Sequence, residues 1–185
     1  PHAHARIVSV DVATAKAREG VAAVITADDL GDYWKPGPLL VPPPPIAGMI
    51  FRQRCQVPLA KVFVRHLGEP IVMVVAESRY VAEDAVGDIV VEYEPLPVVG
   101  DLEAAVAPGG SRVHDDLPDN IAAEVVQRKG DYAAARAKAA HIVKRRFWYD
   151  RGASIPMETR GIVADWDGKA DRLTIWDTTQ APVVI

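Results

Sequence analysis

The sequence is poor in cysteine, in aromatic residues and in long apolar runs. Its single cysteine, Cys55, excludes an internal disulfide framework and a CxxC metal site. No apolar run approaches the ~20 residues that a membrane-spanning helix needs. Residues 1–5 (PHAHA) lack the basic region and apolar block of a secretory signal. We therefore expect a cytoplasmic protein that does not enter a membrane.

Strong net charge and nucleotide-binding signatures are also missing. The formal net charge of -4 gives no reason to expect nucleic acid as a partner. There is no GxGxxG, GxxxxGK[ST] or GxSxG pattern. With 49% hydrophobic and 25% charged residues, the chain can bury the core of a soluble globular protein. Since it begins with proline and has no initiator methionine, we expect its true beginning to lie upstream.

The first half of the chain alternates between strand and helix patterns. Ser78 is a good N-cap for a helix over residues 79–87, and Val81, Ala85 and Ile89 fall on one face at helical spacing. The order strand, helix, strand over residues 71–93 predicts a crossover that places both strands in one sheet. An additional short helix is predicted over residues 11–18. Strands are predicted over residues 6–10, 21–26, 61–66, 71–76 and 89–93.

Two stretches lack such a pattern. Residues 31–60 are rich in proline and glycine and predict a long loop over the surface. Residues 98–130 contain turn signals but little periodicity, and we interpret them as a linker. A second unit follows, with a helix over residues 131–140 and strands over 142–149, 161–166 and 173–178. Three strands and one helix cannot easily cover both faces of a sheet, so we expect this unit to be incomplete.

Few side chains form a pattern with chemical meaning. His2 and His4 could be metal ligands on one strand face, but no third ligand lies nearby in the sequence. Asp115, Asp116 and Asp119 lack the glycine and closing glutamate of a calcium loop, so a solvated surface is the better interpretation. The basic residues 144–146 precede three aromatic residues, a combination that could stack bases but more often packs in a sheet.

One carboxylate is a candidate acid or base. Glu158, between Met157 and Thr159, could act as a general acid or base, but nothing in this chain fixes its pKa. Composition and spacing alone therefore indicate an α/β domain followed by a partial second unit.

Several segments together resemble the large subunits of the xanthine dehydrogenase, aldehyde oxidase and carbon monoxide dehydrogenase family. Their order and spacing cover nearly the whole chain. The segments are residues 1–7 (PHAHARI), 20–30, 64–71 (VRHLGEPI), 78–85 (SRYVAEDA), 91–97 (VEYEPLP), 130–131 (GD), 156–161 (PMETRG) and 178–182 (TTQAP).

The resemblance implies an α/β hammerhead domain over residues 1–97, with a mixed sheet and packed helices. A linker over residues 98–130 would lead to the beginning of a molybdopterin-binding domain over 131–185. In this family, a molybdenum-bound hydroxide attacks an electron-poor carbon while a hydride moves to a sulfido ligand. Electrons then leave through [2Fe-2S] clusters to FAD, which the single cysteine here would leave to partner domains or subunits.

The resemblance implies little chemistry for this chain itself. The family's cofactor-binding glycine-rich segment and base glutamate would lie beyond Ile185. A glutamine that often precedes the PMETRG segment is replaced here by residues 149–152 (YDRG). Glu158 and Gln180 match family positions and are candidates for contact near the cofactor, although strand-end hydrogen bonding explains them equally. We therefore expect no catalytic residue and no metal ligand in this chain.

Three functions remain open. The first is part of a molybdenum hydroxylase large subunit, inactive alone, whose partners are the rest of that subunit, an iron–sulfur subunit, an FAD subunit and a small-molecule substrate. The second is a non-catalytic interaction module with a hammerhead fold. The third, an independent enzyme that uses Glu158 and a histidine, has the least support. The sequence does not identify the substrate.

Overall fold

A computed structural model describes residues 1–37, 43–149, 152, 155, 157 and 159–179. The chain separates into two compact units, Pro1–Val126 and Gln127–Ile185. Both combine short helices with small sheets, and every strand pair in the described residues is antiparallel. None of the described helices has the length and hydropathy needed to cross a membrane.

The first unit contains a three-stranded sheet whose central strand is β1 (Ala5–Asp11). β1 pairs on one side with β4 (Phe63–Val64) and on the other with β6 (Val90–Pro95). The register shifts between Ile7 and Ser9, which marks a bulge. A buried cluster of Ala5, Ala60 and Val64 lies against this sheet. Small side chains at these positions let the loop before β4 pack closely on β1.

A second ladder joins β2 (Val21–Thr26) and β5 (Val72–Ala76). Two helices cover it, α1 (Ala13–Ala17) and α2 (Arg79–Gly87). Ala15, Val24 and Ala85 are buried where the helices meet the strands. This arrangement confirms the predicted strand over residues 21–26.

Helix α2 begins and faces inward as its sequence predicts. The Ser78 side chain accepts a hydrogen bond from the Val81 amide, which satisfies one of the free donors at the start of the helix. Ala85 is completely buried, and Ile89 packs against the same cluster. The helix therefore rests on the second ladder through the face that its apolar spacing predicts.

The predicted crossover between β5 and β6 is wrong. β5 pairs with β2, whereas β6 pairs with β1, so the strands before and after α2 belong to different ladders. Apolar patterning indicates that a segment is a strand, but it does not specify the neighbour with which that strand pairs. Here two antiparallel pairings replace the single parallel one.

Residues 98–126 contain more regular structure than their pattern predicts. Helix α3 (Leu102–Ala105) begins at Asp101, whose side chain accepts a hydrogen bond from the Ala104 amide. The short strand β7 (Ala123–Glu124) pairs with β3 (Ile50–Phe51), which lies in the proline-rich loop. Two-residue strands are too short to give a periodic signal, so neither was predicted.

The second unit contains helix α4 (Tyr132–Lys138) and a hairpin of β8 (Ile162–Asp167) and β9 (Arg172–Asp177). Asp131 caps α4 by accepting a hydrogen bond from the Ala134 amide, and α4 lies within the helix predicted over residues 131–140. The strand predicted over residues 142–149 is absent, because these residues pair with no other strand among those described. β-propensity alone does not supply a hydrogen-bonding neighbour.

Acid should destabilise the first unit through Asp88, which joins the end of α2 to α1. Arg18 Nε donates to Asp88 Oδ2 at 2.7 Å, and this hydrogen bond lowers the pKa of Asp88. A carboxylate whose pKa is lower in the folded state stabilises the fold above its unfolded pKa of about 3.9. That contribution is lost as the pH falls through the lowered value.

We therefore expect the urea midpoint to fall as the pH drops below about 4. Asp88→Asn should lower the midpoint at neutral pH and flatten its dependence on acid. Asp32→Asn, at an exposed position of the short 3-10 helix Gly31–Tyr33, is the control for the loss of one negative charge. An unchanged acid slope in Asp88→Asn would contradict this assignment.

Candidate functional site

The two residues proposed from the family resemblance, Glu158 and Gln180, lie outside the described residues. The histidines near the beginning of the chain, the acidic cluster of residues 115–119 and the basic residues 144–146 lie within them. Their contacts show which side chains are already used by the fold and which face an open cavity.

The histidines near the beginning of the chain have structural partners. His4 is buried, and its Nδ1 donates to the Pro97 carbonyl oxygen at 2.9 Å. The His2 ring lies 4.8 Å from the Tyr93 ring, between their centroids. Burial also raises the pKa of the Tyr93 hydroxyl. In the described part of the chain, no group of three or more His, Cys, Asp or Glu side chains comes together as a metal site.

The acidic residues of the 115–119 cluster connect this segment to the proline-rich loop. Asp116 forms an ion pair with Arg54, and Asp119 forms one with Arg52. Asp119 Oδ1 also accepts from the Ile121 amide at 2.9 Å. This backbone hydrogen bond and then the one from Arg52 lower the pKa of Asp119. Two of the three carboxylates therefore neutralise arginines and are not arranged around a cation.

The side chain of Asn120 forms three hydrogen bonds to backbone groups of residues 105–113. Its Oδ1 accepts from the Val113 amide at 2.9 Å. Its Nδ2 donates to the Ala105 carbonyl at 3.0 Å and to the Ser111 carbonyl at 2.8 Å. The side chain thus satisfies backbone groups on both sides of the turn at residues 108–110, where regular structure supplies no partner.

A cavity of about 370 Å³ opens between these two segments of the first unit. Its apolar wall comes from Phe51, Val113, Leu117 and Ala122. This volume lies within the ~300–1,000 Å³ that is typical of small-molecule pockets. We refer to it as the 51–122 cavity.

The polar part of the 51–122 cavity contains one imidazole and two neutralised arginines. His114 lines the cavity with Arg52 and Arg54. Burial lowers the pKa of His114, as do Arg65 and Arg54, while Asp116 and Glu69 oppose the shift. Since the ordinary value is about 6.5, the ring is mostly neutral at pH 7. It can then donate from one nitrogen and accept at the other.

The sequence did not predict this cavity. His114 stands alone in a turn-rich stretch, and the arginines are separated from their carboxylates by 62 and 67 positions. The only available signal was the complementary charge of residues 52–54 and 115–119. Without a known pairing of β3 with β7, that signal does not place the two segments together.

Two family models match consecutive parts of the chain. The a/b hammerhead domain of aldehyde oxidase and xanthine dehydrogenase matches residues 1–97. The molybdopterin cofactor-binding domain matches residues 113–185. The chain belongs to the aldehyde oxidase and xanthine dehydrogenase family. The predicted family and the α/β hammerhead fold are confirmed.

Individual relatives are similar across nearly the whole chain. The nicotine 6-hydroxylase large subunit of Paenarthrobacter nicotinovorans is 37% identical over 98% of this chain. The carbon monoxide dehydrogenase large chain of Afipia carboxidovorans is 39% identical over all of it. The structure of quinoline 2-oxidoreductase from Pseudomonas putida 86 superposes with a TM-score of 0.83 and 38% identity over 97% of the chain.

This chain spans only about a fifth of those proteins. It covers 22% of the nicotine 6-hydroxylase subunit, 23% of the carbon monoxide dehydrogenase chain and 22% of the quinoline 2-oxidoreductase chain. The match includes part of a domain that binds molybdopterin.

Proposed function

We propose that this chain is part of the large subunit of a molybdenum hydroxylase. Such an oxidoreductase hydroxylates the carbon of an aldehyde or an N-heterocycle, or oxidises carbon monoxide, with water as the source of oxygen. The observation that carries the proposal is the uninterrupted similarity to such large subunits, which runs through a hammerhead match into a molybdopterin-domain match.

Within that enzyme, we propose that the chain is structural and contributes no catalytic residue. The support is the way its polar side chains are used. His4 is hydrogen-bonded to the backbone, and the two arginines of the 51–122 cavity form ion pairs with carboxylates. Asp88 forms an ion pair that joins α2 to α1. On this proposal the chain is inactive alone.

The cofactors and partners follow from the same proposal. Molybdopterin would be held mostly by residues outside this chain. The [2Fe-2S] clusters and FAD would belong to partner domains or subunits, because one cysteine cannot ligate a cluster. One relative is named as a subunit of a dehydrogenase complex, which supports a multi-subunit assembly. Cys55 as a free thiol is consistent with a cytoplasmic location.

The alternative is a non-catalytic interaction module, in which the β8–β9 hairpin would form the interaction surface. Cross-strand neighbours Ala164 and Ile175, and Trp166 and Leu173, lie on one face of the hairpin. Trp166, Leu173 and Ile175 are each more than half exposed. An apolar face of this kind needs a partner in either case. The identity of that partner therefore separates the two functions.

The test is mild purification of the tagged chain from its native source. We expect flavin, iron and larger chains to co-purify in a complex that oxidises a family substrate. A stable monomer without flavin or iron would support the interaction module instead.

The same complex tests the role of Glu158 and Gln180. We expect Glu158→Gln and Gln180→Ala to lower kcat by no more than about tenfold, since loss of a catalytic acid or base typically costs at least ~100-fold. Arg160→Gln, in the same segment, is the control for altered assembly. A loss near a thousandfold in kcat, with cofactor content unchanged, would place the substituted residue in the catalytic machinery.

A further inference from the structure

The 51–122 cavity carries an inference that does not depend on the proposed oxidoreductase function. We propose that it binds a small, uncharged, mainly aromatic molecule with one hydrogen-bonding nitrogen or oxygen. Nothing in the family match assigns a ligand to this place. The apolar wall of the cavity, the charges that line it and the hydrogen-bonding capacity of His114 all favour such a ligand.

The wall selects for an apolar ligand. Phe51, Val113, Leu117 and Ala122 supply the surface, and the volume of about 370 Å³ accommodates a one- or two-ring compound. Phe51 is 40% exposed, so part of an aromatic surface is in water when the cavity is empty. A planar ring that covers this surface would gain binding free energy in two ways. Apolar surface would be removed from water, and the ring would contact the ring of Phe51.

The rim disfavours a charged ligand. Arg52 and Arg54 line the cavity, but each is paired with its own carboxylate, Asp119 and Asp116. An anion would be repelled by these carboxylates and would compete with them for the guanidinium groups. A cation would meet the two arginines. An uncharged molecule avoids both costs, because it leaves the ion pairs intact.

His114 supplies the orienting contact. Among the described residues no hydrogen bond to its ring is found, whereas the side chain of Asn120 beside it already makes three. A neutral imidazole can donate to a ring nitrogen or accept from a hydroxyl. His114 can therefore bond a ligand without breaking a hydrogen bond to another of the described residues.

Quinoline and naphthalene form the matched pair of probes, since they share a bicyclic shape and differ by one ring nitrogen. Titrated into the 185-residue chain and followed by amide NMR shifts, quinoline should give saturable changes confined to residues 51–54 and 113–122. Naphthalene should bind the same residues roughly two- to tenfold more weakly, the effect of one lost hydrogen bond.

Two variants and one control variant test whether the probes bind in the 51–122 cavity and whether His114 causes the preference for quinoline. His114→Phe keeps the size of the wall and should remove the difference between quinoline and naphthalene. Leu117→Trp should fill the cavity and abolish both, while Val106→Trp, at a 63% exposed position outside the cavity, should change neither. Thermal melting of each variant shows whether it is folded.

Three results would overturn the proposal. The first is the absence of saturable shifts with either probe in the folded chain. The second is a quinoline preference that survives in His114→Phe. The third is saturable binding of N-acetyl-leucinamide without binding of quinoline. That result would show that the cavity binds a side chain from another polypeptide segment.

Discussion

Replacement of Asn120 with alanine is expected to lower the free energy of unfolding of the first unit by about 2–3 kcal/mol, since three hydrogen bonds of about 1 kcal/mol each are lost. The backbone groups left behind are the Val113 amide and the carbonyls of Ala105 and Ser111. The Val113 amide and the Ala105 carbonyl are partly buried, so water cannot fully replace the hydrogen bonds that they lose. The loss should appear in urea unfolding followed by circular dichroism.

The effect should also be local. Hydrogen exchange of amides in residues 105–122 should accelerate more than that of β1, because Asn120 holds the 105–113 turn rather than the sheet. Asp115→Ala, at an exposed position of the same segment, is the control and should change stability by less than about 0.5 kcal/mol. A comparably small effect for Asn120→Ala would show that its three hydrogen bonds do not hold the segment.

Enlarging Ala85 to leucine is expected to destabilise the first unit by about 2–3 kcal/mol, the usual range for overpacking a filled core. Ala85 has no exposed surface, and it meets Ala15 of α1 and Val24 of β2. Three added carbon atoms would force α2 away from the β2–β5 ladder. The urea midpoint is again the measurement.

Val86→Leu provides the matched control for Ala85→Leu. Val86 is the next residue of the same helix and is 56% exposed. Its substitution should change the free energy of unfolding by less than about 0.5 kcal/mol. If both variants lost the same amount, the packing of Ala85 would not explain the effect, since leucine is a better helix former than valine, and the assignment of Ala85 to the core would be wrong.

The buried position of Ala85 could be predicted from the sequence, whereas the hydrogen bonds of Asn120 could not. Ala85 was placed on the inner face of α2 because helical periodicity is local and repeats every few residues. The capping role of Ser78 is local in the same way. The three hydrogen bonds of Asn120 depend on a turn whose irregular backbone gives no periodic signal. Its importance becomes visible only when the carbonyls of Ala105 and Ser111 are placed beside it.

Pairings between distant segments were the main limit for the fold. The strand over residues 71–76 was predicted, but its partner was not, since the antiparallel contact with β2 depends on geometry some fifty positions away. The 142–149 segment shows the converse. Its β-branched and aromatic residues favour a strand, yet without a neighbour in the described residues none forms. Strand propensity requires a hydrogen-bonding partner before it becomes structure.

The candidate site was hard to predict for the same reason, because it depends on contacts between distant segments. The 51–122 cavity is built from two segments joined by ion pairs over more than sixty positions, so His114 could not be identified from its own surroundings in the sequence. The family itself was identifiable, because short segments in a fixed order carry information that composition lacks. That order is what the two domain matches confirm.

Molybdenum content, combined with intact mass, of the complex isolated through this chain under mild conditions tests whether the chain belongs to a molybdenum hydroxylase large subunit. We predict stoichiometric molybdenum with molybdopterin, retained as long as the chain is joined to a larger partner and lost when it is separated. An intact, folded chain that is isolated as a metal-free monomer would contradict its assignment to a molybdenum hydroxylase large subunit.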